Sequence, residues 1–375
     1  MGCSVVVTGG AGFIGSHLVD RLVRGGFEVT VLDNLSTGKL ENVKHHFDDG
    51  GFRFVKGDVQ DRRAVEEALK GAEAVFHLAA ITSVPYSFKH PDVTRQVNID
   101  GTRNLLKASL RCGVDRFIYV STCAVYGEPE YLPIDEKHPA RPISPYAESK
   151  LEAERLCREF QETYGLKTTV LRPFNVYGLG MRNDQYGGVI ARFIERLRIG
   201  KPPIIYGDGE QTRDFVHVED AVRAMILALE SEKAVGRTFN VATGSQTSIN
   251  RLAQLIIDLF GAKGIKPKHR KARVGDVRYS YADIQEAKAI LGFEPKISLK
   301  EGLSTVLHAA RARILRSARN NSASNSNSLL DVGLPDIRGN APSGDEHSFG
   351  RYRRNHSRAD ATYYCSNTLG ACKRS

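Results

Sequence analysis

The segment from Ser4 to Gly15 constrains the fold more than any other part of this chain. Ser4-Val5-Val6-Val7-Thr8 is an apolar run of strand length, and Gly9-Gly10-Ala11-Gly12-Phe13-Ile14-Gly15 follows it without a gap. Beyond the glycines the apolar residues switch to helical spacing through Leu18, Leu22 and Val23. A second strand, Glu28-Val29-Thr30-Val31-Leu32, then ends in Asp33. Glycines at such a turn allow a tight bend and close backbone approach to a pyrophosphate, which rests on the positive end of the helix. Asp33, 18 residues after Gly15, is placed to accept hydrogen bonds from an adenosine ribose 2′-hydroxyl. Its charge repels a 2′-phosphate, so the pattern predicts NAD rather than NADP.

Strands then alternate with helices, as a doubly wound parallel sheet demands. Phe52-Arg53-Phe54-Val55 leads to Gly57-Asp58-Val59, Ala74-Val75-Phe76-His77-Leu78 to Ala79-Ala80, and Phe117-Ile118-Tyr119-Val120 to Ser121-Thr122. Each small or polar residue falls at the carboxyl end of a strand, where ligands of open α/β sheets collect. Asp58 is a candidate for the adenine edge, with the N-cap of a helix over 61–70 as its alternative. Ala79 and Ala80 allow close approach of the cofactor, and Thr122 is a candidate for the chemistry. His77, flanked by apolar residues, reads as a core or backbone-bonded histidine.

Tyr146-Ala147-Glu148-Ser149-Lys150 follows these motifs in order. On a helix Tyr146 and Lys150 share one face, so the ammonium is expected to stabilise the phenolate and lower its pKa. In a chain with 14 tyrosines such a spacing also arises by chance on a solvated helix face. The glycine turn and Ser121-Thr122 behind it are what point to hydride transfer with a tyrosine base.

These motifs, with Asp33-Asn34-Leu35, Asn98, Ser121 to Gly127 and Arg172-Pro173-Phe174-Asn175-Val176-Tyr177-Gly178, resemble the extended short-chain dehydrogenase/reductases over about residues 1–309. Within them the chain is similar to the NAD-dependent nucleotide-sugar epimerase/dehydratase group. The resemblance implies an α/β, Rossmann-type doubly wound sheet with a smaller discontinuous C-terminal substrate domain. It implies Thr122, Tyr146 and Lys150 as catalytic residues: Tyr146 the base and acid, Lys150 tuning it and holding the nicotinamide ribose, and Thr122 bonding the reacting hydroxyl. The cofactor contacts it implies are Gly9, Gly12, Phe13, Ile14, Gly15, Asp33, Asn34, Asp58, Val59, Leu78, Ala79, Ala80 and Asn98, together with Tyr146 and Lys150.

Nucleotide-sugar 4,6-dehydratases of this group carry an acid pair after the Ser/Thr, and the related decarboxylases usually keep a glutamate there. Here the stretch reads Thr122-Cys123-Ala124-Val125-Tyr126-Gly127, without an acid. What remains is oxidation at C4 followed by re-reduction on the other face, which is epimerisation. Asn175 matches the family asparagine at the nucleotide diphosphate and Arg213 its phosphate-binding arginine. An arginine offers an always-charged, bidentate clamp. Arg273 and Asp276 resemble the segment that meets phosphate and uridine ribose, whereas Arg278 reads equally well as a surface ion pair. Ser83 matches a serine that supports the sugar ring. At the position of Ser280 a large tyrosine accompanies glucose/galactose specificity, and a small residue an N-acetyl group. The expectation is a UDP-hexose 4-epimerase acting on UDP-glucose/galactose and the N-acetylated pair. A register slip of one would instead make Tyr279 or Tyr281 the gate. The alternatives are a UDP-glucuronate 4-epimerase, a 4,6-dehydratase, or a catalytically silent NAD-binding regulator.

With 41% hydrophobic residues the chain can bury a large core, but residues 310–375 do not read as part of it. They hold 11 Lys/Arg against 5 Asp/Glu, six of the chain's net +10, and a low-complexity run at 320–328. A solvated, disordered basic tail is expected, with no nucleic-acid partner. The family's usual chain ends near residue 310, so this extension departs from it. Six cysteines without a C-x-x-C spacing suggest no zinc site and fit reduced thiols in the cytoplasm, and no metal is expected. No secretory signal or membrane-spanning run is evident, and Met1-Gly2-Cys3 and Cys372-Lys373-Arg374-Ser375 are incomplete lipidation signals. The expected organisation is a NAD-binding domain over 1–175 with parts of 213–245, including a returning strand at Thr238-Phe239-Asn240-Val241-Ala242. A nucleotide-sugar domain over 176–212 and 246–309 completes it. Long helices at 92–112 and 146–164 imply, by resemblance, a homodimer built on a four-helix bundle.

Overall fold

The computed structural model describes residues 3–181, 188–272 and 277–310. Met1–Ala309 is one compact unit. The tail expected beyond it lies outside the described residues except for Ala310, and so do Arg273 and Asp276.

The strands are β1 (Ser4–Thr8), β2 (Glu28–Asp33), β3 (Phe52–Lys56), β4 (Ala74–His77), β5 (Arg116–Val120), β6 (Lys167–Pro173), β7 (Asn175–Tyr177), β8 (Ile204–Tyr206), β9 (Thr212–Arg213), β10 (Phe215–His217), β11 (Thr238–Val241), β12 (Thr247–Ser248) and β13 (Lys268–Arg270). The helices are α1 (Phe13–Arg24), α2 (Arg62–Leu69), α3 (Val84–Lys89), α4 (Pro91–Arg95), α5 (Gly101–Cys112), α6 (Pro145–Tyr164), α7 (Val189–Arg198), α8 (Val218–Glu230) and α9 (Ile249–Phe260). Seven strands form one parallel sheet in the order β11-β6-β5-β4-β1-β2-β3, with the expected returning strand, β11, at its edge. The chain winds outward from β1 to β3 and then returns to the other side of β1 as β4. That reversal opens a crevice at the carboxyl ends of β1 and β4.

Alternating side chains of β1 feed two cores. Val5 and Val7 pack with Leu18 and Leu22 of α1 and Val222 and Met225 of α8. Val6 packs with Val65 and Leu69 of α2, Leu105 and Leu106 of α5, and Leu156 and Phe160 of α6. Most of these side chains are wholly buried, each contributing roughly 1.5–3 kcal/mol from removal of apolar surface from water. Between β1 and α1 the turn is so tight that a Cβ on Gly15 would lie 2.2 Å from the Gly9 carbonyl oxygen, and Gly9 itself has φ +71°. Only glycine meets both demands.

Two local expectations change. Helix α2 is capped by Asp61, whose carboxylate accepts from the N–H groups of Arg63 (2.9 Å) and Ala64 (3.4 Å), so Asp58 is not its cap. The helix expected over 92–112 is interrupted by a π turn at Gln96–Asp100 between α4 and α5. Such turns shift a helix's side-chain register and recur at functional sites. This one carries Asn98. The smaller sheets, β7 with β10, β9 with β12 and β8 with β13, are built from segments that follow β6 in the chain.

Candidate active site

At the crevice, the amino end of α1 is left open for an anion. Gly12 caps it without a side-chain hydrogen bond and no acid occupies the first turn, so the N–H groups there face a site of positive potential. Asp33, buried at the end of β2, accepts the Ala11 N–H at Oδ2 (3.0 Å) and the Leu35 N–H at Oδ1 (2.8 Å). Burial raises its pKa, and the two N–H donors oppose the rise. Each oxygen keeps a lone pair for a ribose hydroxyl. Asn34 donates to Asp58 Oδ2 (2.7 Å), while Asp58 Oδ1 accepts from the Gln60 N–H (2.9 Å). These contacts place Asp58 beside the Asp33 loop rather than on a helix end.

His77 is buried at the end of β4 and bonded at both ring nitrogens, which sharpens its reading as a core residue. Thr102 donates its hydroxyl to the Asn98 carbonyl (2.6 Å), so it accepts from His77 Nε2–H (2.9 Å). His77 Nδ1 must then accept from the Thr8 hydroxyl (2.7 Å), which in turn accepts the Ala79 N–H (3.2 Å). Burial holds the imidazolium pKa far below its usual value, consistent with one ring proton. This relay joins β1, the Leu78-Ala79-Ala80 segment, the π turn and α5. Asn98 completes it: its side chain exchanges hydrogen bonds with the Ile81 backbone (2.8 and 3.0 Å) and donates to Ser149 Oγ (2.9 Å). The sequence signal for such a relay was polar threonines at buried positions.

Beyond β5, Thr122 caps a short 3₁₀ turn at Cys123–Tyr126, its Oγ1 accepting the Ala124 N–H (3.2 Å). Ser144 caps α6 and Pro145 starts it, so Tyr146 enters in the first turn and Lys150 follows one turn later. Both are buried, and Tyr146 is hydrogen-bonded to Thr122. The lowered phenol pKa expected from the Tyr–Lys spacing is not what the structure gives. Burial pushes the Tyr146 phenol up to about 12, with the Thr122 hydrogen bond pulling the other way. The Lys150 ammonium is turned elsewhere: Nζ donates to the Val120 carbonyl (2.7 Å) and stands 4.2 Å from the Tyr119 ring centroid. Its own pKa is brought down to about 7 by burial, opposed by Glu154 one turn further along α6. Glu154 is held by a two-pronged ion pair with Arg172 (3.0 and 2.5 Å), and both partners are buried. Sequence reading missed this brace, because its partners lie on different elements.

Cys123 sits where the acid pair of a dehydratase would begin. Burial pushes its thiol up to about 12, with the charge of Arg213 opposing, so it is neutral and Arg213 lies near it. Arg213 donates to the Thr212 carbonyl (2.7 Å) on β9, next to Asp214. Asp214 is an organiser that sequence reading did not single out. Its carboxylate holds the Thr243 hydroxyl (2.6 Å) and the N–H groups of Thr243, Gly244 and Ala282 (2.9, 2.9 and 3.4 Å). Its carbonyl accepts from Asn175 Nδ2 (2.9 Å). Ser83 caps α3, accepting the Tyr86 N–H (3.2 Å) and keeping its hydroxyl proton to donate. Arg278 forms the surface ion pair that was its alternative, to Asp208 at 2.7 and 2.8 Å. Tyr279 is exposed, Ser280 buried and Tyr281 half-buried. The structure therefore turns Ser280 inward and Tyr279 outward.

The model of the NAD-dependent epimerase/dehydratase family matches residues 5–242. The chain belongs to this family. Its fold and glycine cradle are those of the family, and its cofactor is NAD, which the open helix end and the buried Asp33 fit. Among solved structures, UDP-glucose 4-epimerase of Thermotoga maritima with UDP-glucose is 41% identical, with a TM-score of 0.78 over 83% of this chain and 99% of that one. UDP-N-acetylglucosamine 4-epimerase of Methanobrevibacter ruminantium with UDP-N-acetylmuramic acid is 39% identical (TM-score 0.79; 84% and 100% covered). UDP-glucuronic acid 4-epimerase of Bacillus cereus with UDP-glucuronic acid and NAD is 32% identical (TM-score 0.75; 81% and 98%). The chain is thus an enzyme of the epimerase/dehydratase family, with UDP-sugar 4-epimerases among its relatives. Among the described residues no helix is long and apolar enough to cross a membrane.

Proposed function

We propose that this enzyme is a UDP-hexose 4-epimerase acting on UDP-glucose/UDP-galactose and on the N-acetylated pair. The observation that carries the reading is the Thr122–Tyr146 hydroxyl pair, with a neutral Cys123 and Ala124 where an eliminating enzyme needs acids. Tyr146, as its phenolate, takes the proton of the C4 hydroxyl, and Thr122 orients that hydroxyl. NAD+, held by the glycine turn and Asp33, would supply the acceptor and donor of the C4 hydride and bring a positive charge into the site. That charge, with the Thr122 hydrogen bond, would work against the burial that holds Tyr146 near 12. Lys150 would exchange its Val120 carbonyl hydrogen bond for a ribose hydroxyl when the nicotinamide half is bound. Tyr146 then returns its proton to the product oxygen.

Arg213 and Asn175 are the proposed diphosphate contacts, Ser83 a donor to the sugar, and Ser280 the small residue that admits an N-acetyl group. Arg273 and Asp276, assigned to phosphate and uridine ribose, belong to the same proposal. So does the division into a NAD-binding domain over 1–175 with parts of 213–245 and a sugar-nucleotide domain over 176–212 and 246–309. Incubating the purified protein without added cofactor with UDP-glucose, and separately with UDP-N-acetylglucosamine, tests the reading by NMR. The galacto epimers should form without net NADH. A stable keto product or carbon dioxide would overturn it, and UDP-glucuronate would be the next substrate tried.

A further inference from the structure

Away from the catalytic crevice, one cluster of ligating side chains serves no step of the proposed reaction. Asp20 projects from α1, and His45 and His46 lie in the short 3₁₀ turn Lys44–His46. His46 Nε2 lies 2.7 Å and His45 Nε2 3.0 Å from the same atom, Asp20 Oδ1. The three ligating atoms all lie within 4.8 Å of one another. On its far side His46 Nδ1 meets Asp49 Oδ2 at 2.7 Å.

We propose that Asp20, His45 and His46 form a binding site for a divalent transition-metal ion, with Zn2+ the ion best matched by two imidazoles and a carboxylate. The arrangement has the two layers such sites need. Asp49 accepts a hydrogen bond from His46 Nδ1–H, which fixes the tautomer and turns the Nε2 lone pair toward the ion; this carboxylate–histidine–metal pattern orients a ligand. His46 is bonded at both ring nitrogens. Its side chain is 6% exposed and its ring centroid lies 4.1 Å from that of His45. Tetrahedral zinc with bonds of about 2.0–2.2 Å sets neighbouring ligand atoms roughly 3.3 Å apart. The two observed Asp20 separations need to open by about 0.3–0.6 Å. Access is available, because the side chains of Asp20 and His45 are 27% and 53% exposed. Water is left to complete the shell. Arg24 lies 4.0 Å from the other Asp20 oxygen.

The site would staple the segment after β2 to α1. That segment is already tied to the cofactor turn, since Lys39 N–H and Asn42 Nδ2 both donate to the Ala11 carbonyl. An ion here would therefore restrain the backbone leading away from Asp33.

The test uses the full chain, stripped with chelator and dialysed, then titrated with Zn2+ alone by calorimetry and with Co2+ alone by visible spectroscopy. His45→Gln and Asp20→Asn change surface-accessible ligands, and His269→Gln changes an exposed histidine elsewhere. Asp49→Asn should weaken the site roughly 10–100-fold by loosening His46. The expected result is one Zn2+ equivalent present in the wild type and in His269→Gln, and lost in both His45→Gln and Asp20→Asn. The Co2+ bands of that equivalent should lack thiolate charge transfer, which separates it from any binding by Cys365 or Cys372. Isotherms unchanged in either ligand variant, or no tight Zn2+ equivalent in the wild type, would overturn the proposal. Melting each variant in chelator establishes that a lost equivalent is not a lost fold.

Discussion

Replacing Lys150 by methionine should abolish activity yet stabilise the nucleotide-free protein at neutral pH. Lys150 is buried, and its pKa falls from 10.5 in the unfolded chain to about 7 in the fold. At about 1.4 kcal/mol per pKa unit, this difference means that burying the lysine costs about 5 kcal/mol below pH 7. The sign follows from proton binding. Between pH 7 and 10.5 the unfolded state binds more protons than the native state, so native stability rises with pH through that window, and the cost is gone near 10.5. Methionine has similar length and no charge to desolvate. The substitution also loses the hydrogen bond to the Val120 carbonyl and the contact with the Tyr119 ring, together about 2–3 kcal/mol. The net expectation is a gain on the order of 2 kcal/mol at pH 7, a rise of a few degrees in Tm, that reverses to a loss by about pH 10. Thermal unfolding of both proteins, freed of nucleotide, at several pH values measures it. A variant destabilised equally at pH 7 and pH 10 would refute the claim that Lys150 is held against its ionisation by burial.

Tyr146→Phe should keep the fold and bound NAD while lowering kcat by roughly 10²–10⁴, the usual worth of a positioned acid–base group, as steady-state kinetics would show. Ser280→Tyr should reduce turnover of UDP-N-acetylglucosamine far more than that of UDP-glucose. Equal losses on both substrates would show that Ser280 is not the gate. In Gly15→Ala the new Cβ would meet the Gly9 carbonyl oxygen at 2.2 Å, so the cofactor turn must open. The purified variant should carry markedly less NAD by absorbance after denaturation, even if Tm falls by only a few degrees.

Much of this architecture was legible because local patterns encode it. The apolar run at Ser4–Thr8, the glycines and the acid ending β2 have one consistent reading, and the observed sheet order follows it. The Thr122, Tyr146 and Lys150 positions were legible for the same reason: each sits just after a strand or at a helix start with a recognisable cap. What stayed hidden depends on partners far apart in the chain. The Thr8–His77–Thr102–Asn98 relay crosses four elements, and Glu154–Arg172 joins a helix to a strand. Nothing local marks such pairs. The expected lowering of the Tyr146 pKa failed because helical spacing brings Lys150 to the same face but says nothing of where its ammonium points. The Val120 carbonyl and the Tyr119 ring capture it. Asp58 lost its helix-cap alternative because Asp61, three residues on, fills that role. The Asp20–His45–His46 cluster had no sequence signature, since its ligands are 25 and 26 residues apart.

The central claim is that hydride leaves and returns to the same carbon within one binding event. UDP-glucose carrying deuterium at C4, incubated with the enzyme and a pool of unlabelled free NAD, tests it most directly. The account predicts UDP-galactose with the deuterium still at C4 and none in the free nicotinamide. Deuterium in the free cofactor, or a 4-keto product that has lost its label, would contradict it.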